Sequence, residues 1–398
     1  MKNFFLRYSG GWSNLLGLFL VLLLIRNHPS YAQSQQETLS PQAEIGKIIF
    51  FDPYISASEK MSCASCHDPS NAHAPNNNLI VQLGGKNLDQ SYFRSAPSIR
   101  YLIDTPSFHI EKKNKPVGGF NRDGSAPTLE KQAEGPLLSP VEMANTSIHE
   151  FILKLKKRPY FKNLVLAFDI RTQNTDQEYF DAALVALAKY QKEDVSFRPF
   201  NSKYDFYLKG LTTLNPSELH GLELFNNPRI GNCASCHTSQ SDSDQHPPLF
   251  TDYSYDALGV PRNLAIPLNK DAKFFDMGLC QSIAGKGHPE FCGMFKTPTL
   301  RNVATRKVFF HNGKYTSLRE AIRFYATRDT DPEKWYGRNL EGGITKFNDL
   351  PIEYRENVSR DEIPYEQHFG RMPRLSEKDI EDIEAFLKTL TDGYVLTK

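Results

Sequence analysis

Between Thr175 and Lys192 the residues Tyr179, Ala183, Ala186, Leu187 and Tyr190 fall at three- and four-residue spacing, which gathers apolar groups on one helix face. The spacing returns near the end of the chain, where Ile380, Ile383, Phe386, Leu387 and Leu390 follow Ser376, a residue suited to an N-cap. Ser317-Leu318-Arg319-Glu320 reads as a capping box, and behind it Leu318, Ile322 and Tyr325 share a face. Ser147 to Phe168 reads as another helical segment and Phe197 to Leu214 as a crossover. Alternation of period two is scarce, and frequent Pro, Gly and Asn cut the chain into short helices and long loops. The predicted class is mostly α.

The pattern also repeats. Gly46-Lys47-Ile48-Ile49-Phe50 followed by Pro53 is echoed by Gly221-Leu222-Glu223-Leu224-Phe225 followed by Pro228. Downstream of each stands one pentapeptide, Cys63-Ala64-Ser65-Cys66-His67 and Cys233-Ala234-Ser235-Cys236-His237. Ala96-Pro97-Ser98-Ile99-Arg100 then resembles Thr297-Pro298-Thr299-Leu300-Arg301, and Asp123-Gly124 with Thr128-Leu129-Glu130 parallels Asn312-Gly313 with Ser317-Leu318-Arg319. Landmarks kept in one order predict a duplicated domain.

CxxCH is the spacing of c-type haem attachment: two thiols form thioethers with the vinyl groups and the His supplies an imidazole to the iron. Cys63, Cys66, Cys233 and Cys236 are then haem cysteines, with His67 and His237 as proximal ligands. A thioredoxin-like redox pair needs one CxxC and no His, and zinc would need four ligands gathered from two distant motifs.

Composition adds compartment and size. The 398 residues suffice for two cores, and 23% charged with 39% hydrophobic residues is an ordinary globular balance. Lys2 and Arg7 precede an apolar run from Leu15 to Ile25, and Ser30-Tyr31-Ala32 offers a peptidase site, so 1–32 reads as a signal peptide, with an uncleaved anchor as the alternative. Its removal leaves 44 basic against 46 acidic side chains, which speaks against nucleic-acid binding. The remaining cysteines, Cys280 and Cys292, read as a disulfide in an oxidising compartment, with two free thiols as the alternative.

Whether two haems serve electron transfer or catalysis depends on the second axial side of each iron: one filled by strong ligands transfers electrons, and one left open binds peroxide or dioxygen. By spacing alone, Tyr325 is an aromatic on the packed face of its helix and Glu130 a dipole partner in a first turn.

The runs FFDP, SCASCH, APS, DG, TLE, PVEM, TPTLRNVA, FFHNG, SLREA and AFLKTLT, in this order from about Gly46 to Leu390, resemble the bacterial di-haem cytochrome c peroxidase and MauG family. The resemblance implies two tandem cytochrome c-like haem domains with long loops: a peroxidatic one over 33–205 and an electron-transfer one over 206–398. It places a distal acid–base carboxylate on Glu130 and the second haem's sixth ligand on Tyr325, where the peroxidase branch has Met; Met277 and Met294 are rival ligands. Leu83 stands where activation-dependent peroxidases carry a distal His, which implies a first haem open in the resting state.

The family's inter-haem Trp has no counterpart, since Trp335 is the only Trp after residue 32; Tyr101, Phe108 and His109 are the alternatives. A calcium ion near the inter-domain seam is implied, with Ser95 replacing the usual Asn. His311 reads as a structural hydrogen-bonding residue. The implied activity is that of a periplasmic enzyme using hydrogen peroxide to form a high-valent di-haem state that oxidises a partner protein, as MauG does. The alternatives are peroxide reduction with electrons from a small c-type cytochrome or cupredoxin, and a passive di-haem electron carrier. No nucleic acid, and no membrane beyond the signal peptide, is expected as a partner.

Overall fold

A computed structural model describes residues 38–171, 175–241 and 246–396. The leader read at 1–32 lies outside them. Among the described residues no helix is long and apolar enough to cross a membrane.

Five helices frame the chain: α1 (Pro41–Phe51), α2 (Asp176–Glu193), α3 (Pro216–Asn226), α4 (Leu318–Thr327) and α5 (Glu377–Lys388). Thr175 with Glu178, Asn215 with Glu218, and Ser376 with Asp379 close reciprocal capping boxes on α2, α3 and α5, satisfying N–H groups that the first turn leaves unpaired. At α4 only half of the expected box forms: Ser317 accepts from the Glu320 N–H. The segment predicted from Ser147 to Phe168 is two helices, Ile148–Lys156 and Phe161–Ala167. Pro159 lies at the break, where it has no N–H to donate and disfavours helical geometry at Arg158.

α1 packs on α2 and α3 on α5, each pair within its own hydrophobic cluster. Ile49, Phe50, Phe180, Leu187 and Phe197 lie in the first cluster; Phe225, Phe250, Ile322, Ile383 and Phe386 lie in the second. Each crossing turns on a glycine. A Cβ on Gly46 would sit 1.9 Å from the Ala186 carbonyl oxygen, and one on Gly221 would sit 1.9 Å from that of Asp382, so any side chain would force the helices apart.

The sequence repeat is also a repeat of hydrogen bonds. Tyr101 N–H donates to the Phe197 carbonyl (2.8 Å) and Asn302 N–H to that of Leu390 (3.0 Å), both from left-handed backbone at φ 60° and 59°. Ser98 Oγ donates to the Ala72 carbonyl at 2.7 Å, as Thr299 Oγ1 does to that of Leu249 at 2.6 Å. Phe120 N–H reaches the Ala126 carbonyl and Phe309 N–H that of Tyr315, each at 2.8 Å around the Asp-Gly or Asn-Gly turn.

The crossover carries a short helix, Lys203–Leu208, through the division read at 205/206. Its Tyr204 packs in the second cluster, and its fully buried Asp205 holds Arg301 at 2.9 and 3.1 Å. Among the described residues strands are few: three antiparallel pairs, including Leu83–Gly84 with Gln90–Ser91 and His109–Glu111 with Lys115–Val117.

Candidate active site

Each CxxCH motif forms a single tight turn in which the His N–H returns to the carbonyl of the first cysteine, at 2.9 Å in both copies. The ring is then fixed from below. His67 Nδ1–H donates to the His73 carbonyl at 3.3 Å and His237 Nδ1–H to that of Phe250 at 3.0 Å. A carbonyl can only accept, so Nδ1 carries the proton and Nε2 keeps its lone pair for a metal. His73 and Phe250 offer these carbonyls from left-handed backbone, φ 51° and 55°. Burial lowers both imidazoles, His67 to about 4, so each is neutral, the state a ligand needs.

The four motif thiols are free, and burial pushes each up to about 12. Redox CxxC pairs have depressed thiol pKa values, so these are built for another chemistry. Among the described residues no group of three or more His, Cys, Asp or Glu could hold a metal ion, which leaves the zinc alternative without ligands. Cys280 and Cys292 form the expected disulfide.

Cys233, Cys236, His237 and Tyr325 line one cavity of about 280 Å³, walled by apolar side chains such as Phe225, Leu300 and Ile322. α4 aims Leu318, Ile322 and Tyr325 into it, the face its spacing predicts. Among the described residues the Tyr325 hydroxyl has no hydrogen-bond partner. Burial, with Cys236 and Asp256, raises its pKa far above the ordinary phenol value. Neither Met277 nor Met294 lines the cavity; Met277 packs on the cluster of Phe347, Leu350 and Val358, and Met294 on that of Tyr255, Leu279 and Phe291. Two residues that no motif announces also line it. Tyr365, its ring 6.3 Å from Tyr325, donates to Asp256 at 3.0 Å, and burial with nearby Glu362 pushes the Asp256 carboxyl up to about 6.

One edge of this cavity is cationic. Arg122, Lys296 and Arg306 line it, and Arg306 Nη1 is buried without a hydrogen-bond partner among the described residues. Lys296 donates to the Gly119 carbonyl and burial depresses it to about 7. The neighbouring Asp123 and Asp276 are both taken by Arg94, at 2.6 and 2.7 Å. Buried cations with no carboxylate of their own suit a ligand that brings acidic groups. Together with paired thiols, a neutral imidazole and an apolar wall, they fit haem c, whose propionates are such groups.

In the first half Glu130 stands in the first turn of Leu129–Gln132, which Thr128 caps. Its carboxylate is 29% exposed and accepts from Lys192 Nζ at 2.6 Å. Burial pushes the carboxyl up, but hydrogen bonds from Lys192, its own backbone N–H and Thr128 outweigh this and leave it below its ordinary value. Lys192 lies in the last turn of α2, and no motif in the sequence links it to Glu130. Lys192→Met removes the main hydrogen bond that keeps Glu130 ionised. Any rate needing the carboxylate then acquires an acid limb at higher pH than in the parent, measurable as the pH profile of peroxide consumption.

Leu83 is 44% exposed on its strand opposite Ser91. Of the three side chains offered in place of the missing Trp, His109 is exposed on a strand and Phe108 packs on Tyr255. Tyr101 is buried under the Arg301 guanidinium, donates to Asp392 at 2.8 Å and accepts from the Phe200 N–H. His311 stacks on Phe295 with ring centroids 3.8 Å apart and meets Asp349 at 3.3 Å, a structural setting.

Residues 40–213 match the family described as di-haem cytochrome c peroxidase. The chain is 33% identical to methylamine utilization protein MauG of Paracoccus denitrificans over 357 residues, 88% of each chain. It is 30% identical to the cytochrome c551 peroxidase of Nitrosomonas europaea over 286 residues, 70% of this chain and 71% of the other. The crystal structure of the diheme peroxidase BthA from Burkholderia thailandensis superposes with a TM-score of 0.82 at 39% identity, covering 88% of this chain and 86% of that one. A shared fold, both haem-attachment motifs and identity across nearly the whole length place the chain in the di-haem cytochrome c peroxidase and MauG family, as an oxidoreductase of the peroxidase type.

Proposed function

We propose that the protein is exported to the periplasm by residues 1–32 and uses hydrogen peroxide to oxidise a partner protein, as a MauG-like enzyme. Family membership implies two haem c groups. In this reading residues 33–205 and 206–398 form two tandem cytochrome c-like haem units, with the helix Lys203–Leu208 spanning the division and its Tyr204 packed in the second cluster. The first is held by Cys63, Cys66 and His67, the second by Cys233, Cys236, His237 and Tyr325. The observation that carries it is the Tyr325 phenol, without a partner of its own, in the same cavity as the second CxxCH motif, with both candidate methionines elsewhere.

Bound haem c supplies redox-active iron, tuned by its axial ligands. The chain's own residues supply the rest. Glu130, kept ionised by Lys192, accepts a proton from peroxide and returns it to the departing oxygen. The carbonyls of His73 and Phe250 hold the proximal imidazoles in one orientation and one tautomer. At the second site Tyr325 offers an oxygen where a methionine would offer sulfur, and an anionic phenolate favours the more oxidised metal. Arg306, whose Nη1 has no partner among the described residues, and Lys296 anchor the propionate edge.

Two measurements on the holoprotein test the reading. The resting ferric protein is expected to react with one equivalent of peroxide, while steady-state turnover with reduced cytochrome c stays negligible. Fast turnover with the cytochrome would make it a scavenging peroxidase. Inertness to peroxide would leave only an electron carrier.

A further inference from the structure

The calcium ion implied by the resemblance would sit at Ser95, and the structure gives those oxygens another partner. Ser95 is 1% exposed and joins the two halves: its N–H donates to the His311 carbonyl and its hydroxyl to the Phe310 carbonyl, each at 2.8 Å. Arg122 then covers it. Nε donates to the Ser95 carbonyl at 3.0 Å and Nη2 to the Ser95 hydroxyl at 2.9 Å, while Arg306 Nη2 donates to the next carbonyl, Ala96, at 2.7 Å. Arg122 is itself held in place, its carbonyl accepting from the Lys296 N–H at 2.8 Å.

Calcium takes six to eight oxygen ligands, carboxylates prominent among them. Around Ser95 the carbonyls of residues 95, 96, 310 and 311 and the Ser95 hydroxyl already receive N–H or O–H donors. Of the nearby buried carboxylates, Asp123 and Asp276 are engaged by Arg94, and Asp349 by Asn312 and His311. The donor set does not fit the ion. We propose that Arg122 is the resident cation of this seam, its guanidinium clamped on both oxygens of Ser95, and that the chain neither binds nor requires calcium there. The inference uses the family reading only for where the ion would lie.

Two further observations agree. Aligning Phe120–Gly124 with Phe309–Gly313 sets Arg122 opposite His311, so both copies of one repeat position meet at Ser95, one through its guanidinium and the other through its carbonyl. Burial, then Arg306 and Arg94, depress Arg122 to about 9, so the region is already crowded with positive charge and a divalent ion would add to it.

The test is metal content and calcium titration of the holoprotein. After exchange into chelator-free buffer it is expected to carry less than about 0.1 calcium per chain, and to show no saturable heat with calcium chloride up to roughly 1 mM, the weak end for extracellular sites. EGTA is expected to leave its melting temperature and resting electron paramagnetic resonance spectrum unchanged. About one tightly held calcium per chain, or a spectrum lost to EGTA and regained with calcium, would overturn the proposal. Arg122→Ala is expected to alter the resting spectrum, with millimolar guanidinium restoring it; a spectrum like the parent's would equally overturn it. Should that variant fail to fold, Arg122→Lys, which keeps the charge, is expected to fold and stay calcium-free, and calcium uptake by it would count against the proposal. None of these readouts involves peroxide, so their failure leaves the proposed activity untouched.

Discussion

Glu130→Gln is expected to slow the reaction of the resting protein with peroxide roughly 10²- to 10⁴-fold, the usual contribution of a positioned acid–base group. The substitution isolates proton transfer. Gln keeps the size of Glu and an oxygen that can still accept from Lys192, which lies 2.6 Å from the carboxylate. It also keeps its place in the turn capped by Thr128. What it loses is the carboxylate that can accept a proton. Single-turnover mixing with peroxide reads the rate, and the resting optical spectrum, expected unchanged, shows that haem attachment is intact. A rate within a few-fold of the parent would leave Glu130 as a dipole partner in an ion pair with Lys192.

The parts legible in the sequence are those whose chemistry is local. CxxCH is one turn long, and the repeat landmarks are short runs that keep what each hydrogen bond needs: a hydroxyl at Ser98 and Thr299, and a left-handed backbone at Tyr101 and Asn302, whose side chains differ. The helix faces followed from spacing because one side of each is buried. Pro159 breaks the predicted Ser147–Phe168 helix because its effect on the backbone overrides an apolar pattern that continues through it.

The residues that escaped are partners chosen by tertiary packing. Lys192 reaches Glu130 across 62 positions, Tyr365 reaches Asp256 across 109, and Arg94 reaches Asp276 across 182. No periodicity or motif links such pairs. Arg122 could have been found, since extending the repeat alignment a few residues upstream of Asp123-Gly124 sets it beside His311. Its role at Ser95 could not, because the repeat records position and not which side chain faces which oxygen.

With Tyr325 as the proposed ligand, Tyr325→Phe is expected to cost the second site that oxygen while sparing the packing around it. The ring would keep its neighbours, Phe310 at 5.8 Å and Tyr365 at 6.3 Å, so α4 and the hydrophobic cluster beneath should hold. With the phenol gone, the second haem's low-spin ferric signal should give way to a high-spin one. Yield of the peroxide-oxidised state should fall roughly 10- to 100-fold, the range seen when metal-site partners are removed. Tyr325→Met supplies a thioether instead and should raise the reduction potential of that haem, because sulfur favours the reduced metal where phenolate favours the oxidised one. The pair separates ligation from packing: a ligand predicts opposite spin states for Phe and Met, whereas a packing residue predicts the parent spectrum in both. Asp256 sharpens the contrast. Burial of the phenol, with Asp256 beside it, opposes a negative charge on the Tyr325 oxygen more than the nearby Arg328 favours one.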